Sequence, residues 1–235
     1  MLSFIVPAYN EELELPSTLT AIRNAAQDRH HEIIVVDDAS NDATAEIARD
    51  AGAQVISIHR RQIAAARNSG GRVARGDILF FVDADTRINE KHVTGAIGAL
   101  EGGYSGGGAR VAMSGEIPLW ARVSVGFFCV IYFALNLGAG AFLFTTRKNF
   151  NTVGGFDGSL YIGEEVYFSL ALRRLGRFKI LSEPVVTSGR KLRLYSGAQI
   201  LKHSLRVILK GPRVARSRAG LDIWYDGKRE TRSTS

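Results

Sequence analysis

Residues 31–58 have the sequence HEIIVVDDASNDATAEIARDAGAQVISI, and this stretch decides the fold class. Its apolar run at 33–36 is typical of a buried strand, and the run ends at Asp37 and Asp38. The next residues are Ser40, Asn41 and Asp42, whose side chains favour a turn and the start of a helix. A second apolar run, Gln54–Ile58, follows that helix. A strand, a helix and a strand in such close succession predict a parallel βαβ unit.

The same alternation continues on both sides of this unit. Strands are predicted at residues 2–6 and Ile78–Val82, and helices at Leu15–Ala26 and 63–74. We therefore predict an α/β fold with an open, mostly parallel, twisted sheet and helices on both faces. The glycine-rich segment 102–108 follows a predicted helix, so it is interpreted as a flexible loop.

Paired acids follow two of the predicted strands, with Asp37 and Asp38 after one strand and Asp83 and Asp85 after another. Open α/β sheets bind their ligands beyond the carboxyl ends of the strands, so these acids are expected at one functional edge. The glycine fingerprint G-x-G-x-x-G does not follow the first strand, and there is no Walker lysine motif. A Rossmann dinucleotide site and a P-loop are therefore excluded.

An uncharged stretch occupies residues 123–146, which is long enough for a membrane span. Asn136, Gly138 and Gly140 interrupt its helical pattern. We favour a buried or membrane-skimming helix at about 119–137, followed by a strand at about 139–144, with a true span as the alternative.

The net charge of +7 is unevenly distributed along the chain. Residues 1–183 carry a net −2, with 18 Lys and Arg against 20 Asp and Glu, whereas residues 184–235 carry +9, with 12 against 3. This basic end predicts contact with an anionic surface, and an apolar stripe at 199–210 favours either a helix in a membrane interface or one packed on the sheet. Nucleic acid is not an expected partner, because the sequence contains no aromatic platform or known nucleic-acid-binding module.

Seven short motifs place the sequence beside a known family. They are FIVPAYNE (4–11), VDDASND (36–42), ARN (66–68), GD (76–77), VDAD (82–85), GGFD (154–157) and GEE (163–165). In this order and spacing they resemble the family 2 glycosyltransferases, over about residues 2–190. The resemblance implies the GT-A fold, with a Rossmann-like nucleotide-binding half and an acceptor-binding half. It also implies a nucleoside-diphosphate sugar donor, a divalent cation and transfer to an acceptor hydroxyl with inversion.

By this resemblance Asp83-Ala84-Asp85 is the D-x-D element of the family. Asp85 would contact the metal, and Asp83, the second candidate ligand, would lie on the ribose or sugar side of the donor. Mn²⁺ or Mg²⁺ takes carboxylate and phosphate oxygens, and as a Lewis acid it stabilises the departing diphosphate.

The resemblance also assigns a nucleotide pocket. Its candidate residues are Pro7, Ala8, Tyr9, Glu11 and Asp38. Asp38 would accept a hydrogen bond from the base, whereas Tyr9 either stacks on the base or packs in the loop. Arg67 either faces the donor diphosphate or is an exposed helix arginine.

Glu164 and Glu165 match the acidic pair that opens a helix in this family, where the second position is usually Asp. The second acid deprotonates the acceptor hydroxyl, so Glu165 is the predicted base and Glu164 its competitor. The longer side chain keeps both assignments open, because a displacement on the order of 1 Å matters in catalysis. A base here needs burial or neighbouring acids to raise its basicity.

We divide the chain into a nucleotide-sugar-binding half (1–110), an acceptor-binding half with the catalytic base (111–190), a basic amphipathic region (191–225) and a disordered tail (226–235). The expected partners are the donor, a carbohydrate or lipid-linked acceptor and an anionic membrane surface.

The single cysteine, Cys129, and the lack of a signal peptide predict a cytoplasmic protein, peripheral on the cytoplasmic face of the membrane. The main alternative is a non-catalytic nucleotide-sugar or membrane-surface binding protein of the same fold. A nucleotidyltransferase is disfavoured by the acidic Glu11-Glu12.

Overall fold

The computed structural model describes residues 1–115, 137–189 and 215–216. The described strands are β1 (Leu2–Ala8), β2 (His31–Asp38), β3 (Gln54–Ile58), β4 (Ile78–Val82), β5 (Thr86–Arg87), β6 (Tyr104–Ser114), β7 (Phe142–Thr146) and β8 (Arg177–Ser188). The described helices are α1 (Leu15–Ala26), α2 (Thr44–Asp50), α3 (Ile63–Val73), α4 (Glu90–Glu101), α5 (Arg147–Val153) and α6 (Glu164–Leu175).

The strands form one sheet of eight in the order β3-β2-β1-β4-β7-β6-β8-β5. The first four strands in this order, β3, β2, β1 and β4, pair in parallel, as the βαβ pattern predicts. Beyond β4 the sheet becomes mixed, because β7 is antiparallel to both β4 and β6, whereas β6 and β8 are parallel. The α/β class and the mostly parallel sheet are confirmed.

Helices cover both faces of this sheet, as expected. Successive strand residues point to opposite faces, so Phe80 belongs to one apolar core and Phe81 to the other. The first core contains residues of α1 and α4, and the second contains residues of α3, α5 and α6. Strands β1 and β4 are buried on both faces, which explains their continuous apolar sequences.

The predicted boundaries in the first hundred residues agree closely with the structure. Leu15–Ala26, Gln54–Ile58 and Ile78–Val82 have the predicted bounds, and α3 ends one residue before the predicted end. Strands β1 and β2 extend two residues further than predicted at their carboxyl ends, so β2 includes Asp37 and Asp38.

The interpretation of segment 102–108 as a flexible loop is wrong. Tyr104–Ser114 forms β6, which lies inside the sheet between β7 and β8. A Cβ on Gly107 would collide with the carbonyl oxygen of Lys179 and the ring of Phe144, and one on Gly106 would lie 2.7 Å from the carbonyl oxygen of Phe144. The glycines permit close packing of neighbouring strands and side chains.

Strand β7 begins three residues after the predicted start at 139. The amide of Phe142 donates to the carbonyl oxygen of Ala139, so the residues between them form a turn before the strand. The predicted helix at 119–137 and the basic region lie almost wholly outside the described residues. None of the helices that the structure describes combines the length and apolar character of a membrane span.

Candidate active site

The carboxyl ends of β1, β2 and β4 lie at one edge of the sheet, as predicted for the donor site. The strand register places Ala8 beside Asp37 and Ile5 beside Phe81. Tyr9, Asp38 and Asp83 therefore follow or end neighbouring strands at the same edge.

Unusual backbone conformations concentrate at this edge. Asn10, Ala39 and Arg61 have φ angles of 51°, 64° and 48°, a region that residues other than glycine rarely adopt. The loops that follow β1 and β2 are hydrogen-bonded to each other. The amide of Asn10 donates to Ser40 Oγ over 2.9 Å, and the amide of Asn41 donates to Asn10 Oδ1 over 2.8 Å. Such strain persists where the surroundings fix it and is frequent at functional sites.

The buried carboxylate of Asp38 organises the loop before α3. Its Oδ1 accepts from the amides of Arg60 at 2.7 Å and Arg61 at 2.8 Å, and its Oδ2 accepts from the amide of Gln62 at 2.7 Å. The base contact expected of Asp38 stays a prediction. In the structure, Asp38 fixes the start of α3.

The other residues of the predicted nucleotide pocket lie beside this loop. The guanidinium of Arg61 lies 3.2 Å from the ring centroid of Tyr9, a cation–π contact, so a base that stacks on Tyr9 has Arg61 as a close neighbour. Pro7 and Ala8 are buried at the end of β1. Glu11 is buried, and its amide donates to Thr44 Oγ1 over 2.7 Å.

Arg67 is buried, so the alternative of an exposed helix arginine is wrong. Its Nη1 donates to Glu164 Oε1 over 2.7 Å, and its Nη2 donates to Asp83 Oδ1 over 2.8 Å and to the carbonyl oxygen of Gly140 over 2.9 Å. Burial lowers the pKa of Arg67, but the carboxylates of Asp83 and Glu164 raise it by more, so the guanidinium stays charged. One cation thus joins the D-x-D element to the acidic pair.

The two acids of the pair have different environments. Glu164 is buried at the start of α6 and bonds to Arg67, whereas Glu165 is half-buried. Burial and the neighbouring charge of Glu164 raise the pKa of Glu165 to about 8, although Arg67 opposes the shift. A raised pKa is what a general base requires near neutral pH, so Glu165 fits that role and Glu164 fits a structural one.

Helix α3 also binds the chain segment that leads to the acidic pair. Asn68 makes two 2.8 Å hydrogen bonds with the backbone of Phe156, one as donor and one as acceptor. Gly155 has a φ of 79°, and a Cβ there would collide with Asn68 Oδ1. This contact joins the ARN and GGFD motifs in the structure. The Gln62 amide group donates to the carbonyl oxygens of Gly158 and Leu160 over 2.8 and 2.9 Å.

The D-x-D element suits a divalent cation in its chemistry. Asp83 and Asp85 are half-buried, Ala84 between them is buried, and Asp85 Oδ1 accepts from Thr187 Oγ1 over 3.1 Å. Carboxylate oxygens are the hard ligands that Mn²⁺ and Mg²⁺ prefer. Within residues 1–115, 137–189 and 215–216 no group of three or more His, Cys, Asp and Glu side chains could hold a metal. Phosphate oxygens of a donor and water are further ligands that such a cation accepts.

Three contributors to the site were missed in the sequence. Gly140, in the turn before β7, and Thr187, in β8, contact site residues, and no local pattern reveals that these two strands pair with the first half of the chain. Gln62 lies one residue before α3 in a segment without a motif. The only sequence signal was the glycine at 140, where a Cβ would lie 2.9 Å from Arg67 Nη2.

The sheet order, the acids at its carboxyl edge and the pair at the start of α6 match the arrangement expected of the GT-A fold. Solved structures support this fold: S. aureus TarS 1–349 in complex with UDP-GlcNAc has a TM-score of 0.62 at 21% identity, over 80% of this chain and 58% of that one. Mannosyltransferase PcManGT from Pyrobaculum calidifontis, in complex with GDP-Man and Mn²⁺, has a TM-score of 0.64 at 19% identity, over 96% and 68%.

A sequence model of glycosyl transferase family 2 matches residues 3–180, and the chain belongs to this family. It is 40% identical over 103 residues to 4,4'-diaponeurosporenoate glycosyltransferase from Staphylococcus haemolyticus, a match that covers 41% of this chain and 27% of the relative. It is 32% identical over 124 residues to dolichol-phosphate mannosyltransferase from Pyrococcus furiosus, covering 50% and 35%. These matches therefore span about a quarter to a third of the relatives' own length.

Proposed function

We propose that this glycosyltransferase moves a sugar from a nucleoside-diphosphate sugar to an acceptor hydroxyl, with inversion and with the help of a divalent cation. One observation carries the proposal. Arg67 bonds to Asp83 of the D-x-D element and to Glu164 of the acidic pair, which fixes the donor-side and acceptor-side acids relative to each other.

In this mechanism Glu165 accepts the proton of the acceptor hydroxyl as its oxygen attacks the anomeric carbon. Attack on the face opposite the departing diphosphate inverts that carbon. Asp85 and Asp83 would hold the cation, which supplies Lewis-acid stabilisation of the charge on the leaving phosphate. Arg67 keeps Glu164 and Asp83 in place, and Glu164 raises the basicity of Glu165 through its negative charge.

The named relatives support the proposed donor and acceptor classes. Two neighbouring structures hold UDP-GlcNAc or GDP-Man, the second together with Mn²⁺. Several relatives carry names of transferases that act with undecaprenyl phosphate or dolichol phosphate. We therefore propose a carbohydrate or lipid-linked acceptor.

The direct test incubates the chain with UDP-, GDP- and dTDP-sugars, Mn²⁺ and acceptors that offer a hydroxyl (oligosaccharides and lipid-linked sugars), with lipid phosphate, which offers a phosphate oxygen instead, as a separate arm. Transfer should require the metal and should produce the nucleoside diphosphate and a product of inverted anomeric configuration. Donor binding without transfer or release of nucleoside diphosphate would favour the non-catalytic alternative. Release of pyrophosphate would indicate a nucleotidyltransferase.

We also propose a peripheral position on the cytoplasmic face of a membrane, with the basic region 191–225 as the contact. The support is the +9 net charge of residues 184–235. Binding to anionic vesicles should fall steeply between low and physiological salt, because salt screens the attraction, and neutral vesicles should bind little. Retention that resists salt would favour a membrane span, and a lack of vesicle binding would contradict the membrane contact.

A further inference from the structure

Three polar side chains, two from α3 and one from the residue before it, form hydrogen bonds with segment 156–164. This segment ends at Glu164, the first acid of the pair. Asn68 bonds to the backbone of Phe156, and Arg67 bonds to Glu164. Between these two anchors, Gln62 bonds to the carbonyl oxygens of Gly158 and Leu160. The family motifs include Arg67 and Asn68, but Gln62 lies outside them.

Gln62 forms hydrogen bonds through both its backbone and its side chain. Its backbone amide donates to Asp38 Oδ2 over 2.7 Å, while its side-chain amide reaches the carbonyl oxygens 96 and 98 residues further along the chain. The side chain is half-buried, and Gly158 is exposed. A continuous set of hydrogen bonds therefore runs from the end of β2 at the donor edge, through Asp38 and Gln62, to the segment before Glu164.

We propose that Gln62 is a positioning residue, which orders the segment before Glu164 and thereby fixes the catalytic base against the donor edge. This inference rests on the proposed function, because it gives Gln62 a role in the same transfer reaction. Gln62 acts through backbone carbonyls and contacts none of the proposed reacting groups.

The geometry suits ordering of the segment better than support of the whole fold. The two N–H groups of one planar amide engage carbonyls two residues apart, so one side chain holds a short arc of backbone at two points. The amide of Tyr161 adds a bond to the carbonyl oxygen of Ala215. If the side chain is removed, the exposed end of this arc can bond to water, so the cost to global stability should be small. A displacement of the base on the order of 1 Å can nevertheless cost up to about a hundredfold in rate.

The test compares Gln62→Ala and Gln62→Glu with Gln54→Ala, in which an exposed glutamine of β3 is removed. Gln62→Glu keeps the length of the side chain and the backbone bond to Asp38 but replaces the two N–H donors with an oxygen. Both Gln62 variants should lose at least about tenfold in kcat while the donor Kd stays within about twofold. The pH at half-maximal turnover should also move toward that of an ordinary carboxylic acid, because a looser segment exposes Glu165 to water.

Amide hydrogen exchange of the intact protein gives a readout that does not depend on activity. Amides between Gly158 and Gly163 should exchange on the order of tenfold faster in both Gln62 variants, with global unfolding unchanged. Exchange and kcat equal to those of Gln54→Ala would overturn the proposal, and so would an equal loss of donor affinity and kcat. If the wild-type chain transfers no sugar, the proposed function fails and the catalytic role of Gln62 fails with it. The exchange data would still decide whether Gln62 orders the segment.

Discussion

The buried acids at the two sides of the site are stabilised in different ways. Asp38, on the proposed donor side, accepts three amide N–H groups from residues 22 to 24 positions further along the chain. Glu164, on the proposed acceptor side, bonds to the side chain of Arg67, 97 residues away. Neutral dipoles of an adjacent loop support the first acid, and one distant cation supports the second.

This difference shows where the molecule is locally built and where it is not. The donor edge follows from βαβ units whose loops supply their own hydrogen-bond donors. The acceptor side depends on Arg67, which also bonds to Asp83. A substitution that disrupts α3 should therefore affect both the D-x-D element and the acidic pair. The predictions below test this contrast.

The largest effect is expected for Arg67→Met. Asp83 and Glu164, with side chains 29% and 5% exposed, would lose their shared cation beside Glu165. Breaking a buried pair typically costs about 3–5 kcal/mol, and transfer should be abolished. Urea denaturation would measure the loss against Arg72→Met, which removes an exposed arginine of the same helix. Equal stability of the two variants would show that the acceptor side does not depend on Arg67.

The next effect separates the two acids of the pair. Glu165→Gln should lose at least about a hundredfold in turnover, the lower end for general base catalysis, with donor affinity retained. Glu164→Gln should instead lose stability, roughly 1.5–3 kcal/mol for a hydrogen bond to a charged partner. Single-turnover kinetics and denaturation on the same preparations distinguish the two. If the turnover loss belongs to Glu164→Gln and Glu165→Gln is nearly silent, the base has been assigned to the wrong residue.

The same contrast explains how much of the fold was predictable from the sequence. Apolar runs and capping residues are local signals, so α1, β3 and β4 were predicted with correct bounds. Strand β6 was missed because its glycines satisfy a packing requirement set by Lys179 and Phe144, which are distant in sequence.

The candidate site follows the same rule. The motifs indicated Asp83, Arg67 and the acidic pair, but they could not show that a buried arginine joins them. Gln62 was missed because its partners are backbone carbonyls, which leave no mark on the side chains of the sequence.

A smaller and more local effect is expected for Asp85→Ala on the donor side. Metal-dependent donor binding should be lost while the fold survives, because Asp85 is half-buried and lies outside both apolar cores. Calorimetric titration of the donor with and without Mn²⁺ measures the effect. Asp50→Ala, which removes an exposed acid of α2, is the control. A folded Asp85→Ala protein with an unchanged metal requirement would remove this residue from the metal site.

The last effect is a pH dependence that only the acceptor side should show. The pKa of Glu165 is raised from 4.5 to about 8, so its ionised fraction, and with it turnover, should rise as pH approaches about 8. The unfolded chain ionises this group at lower pH, so the folded state binds the proton more tightly. The stability that this proton contributes is complete below the unfolded pKa and is lost as pH rises through the folded one.

Glu165→Gln removes this dependence and should therefore gain stability relative to the wild type between about pH 5 and about pH 9. Glu46→Gln, at an exposed acid of α2, should retain the wild-type slope. Parallel stability curves for the wild type and Glu165→Gln would show that the base is not held protonated by its surroundings, and the acceptor side would then lose its electrostatic distinction from the donor edge.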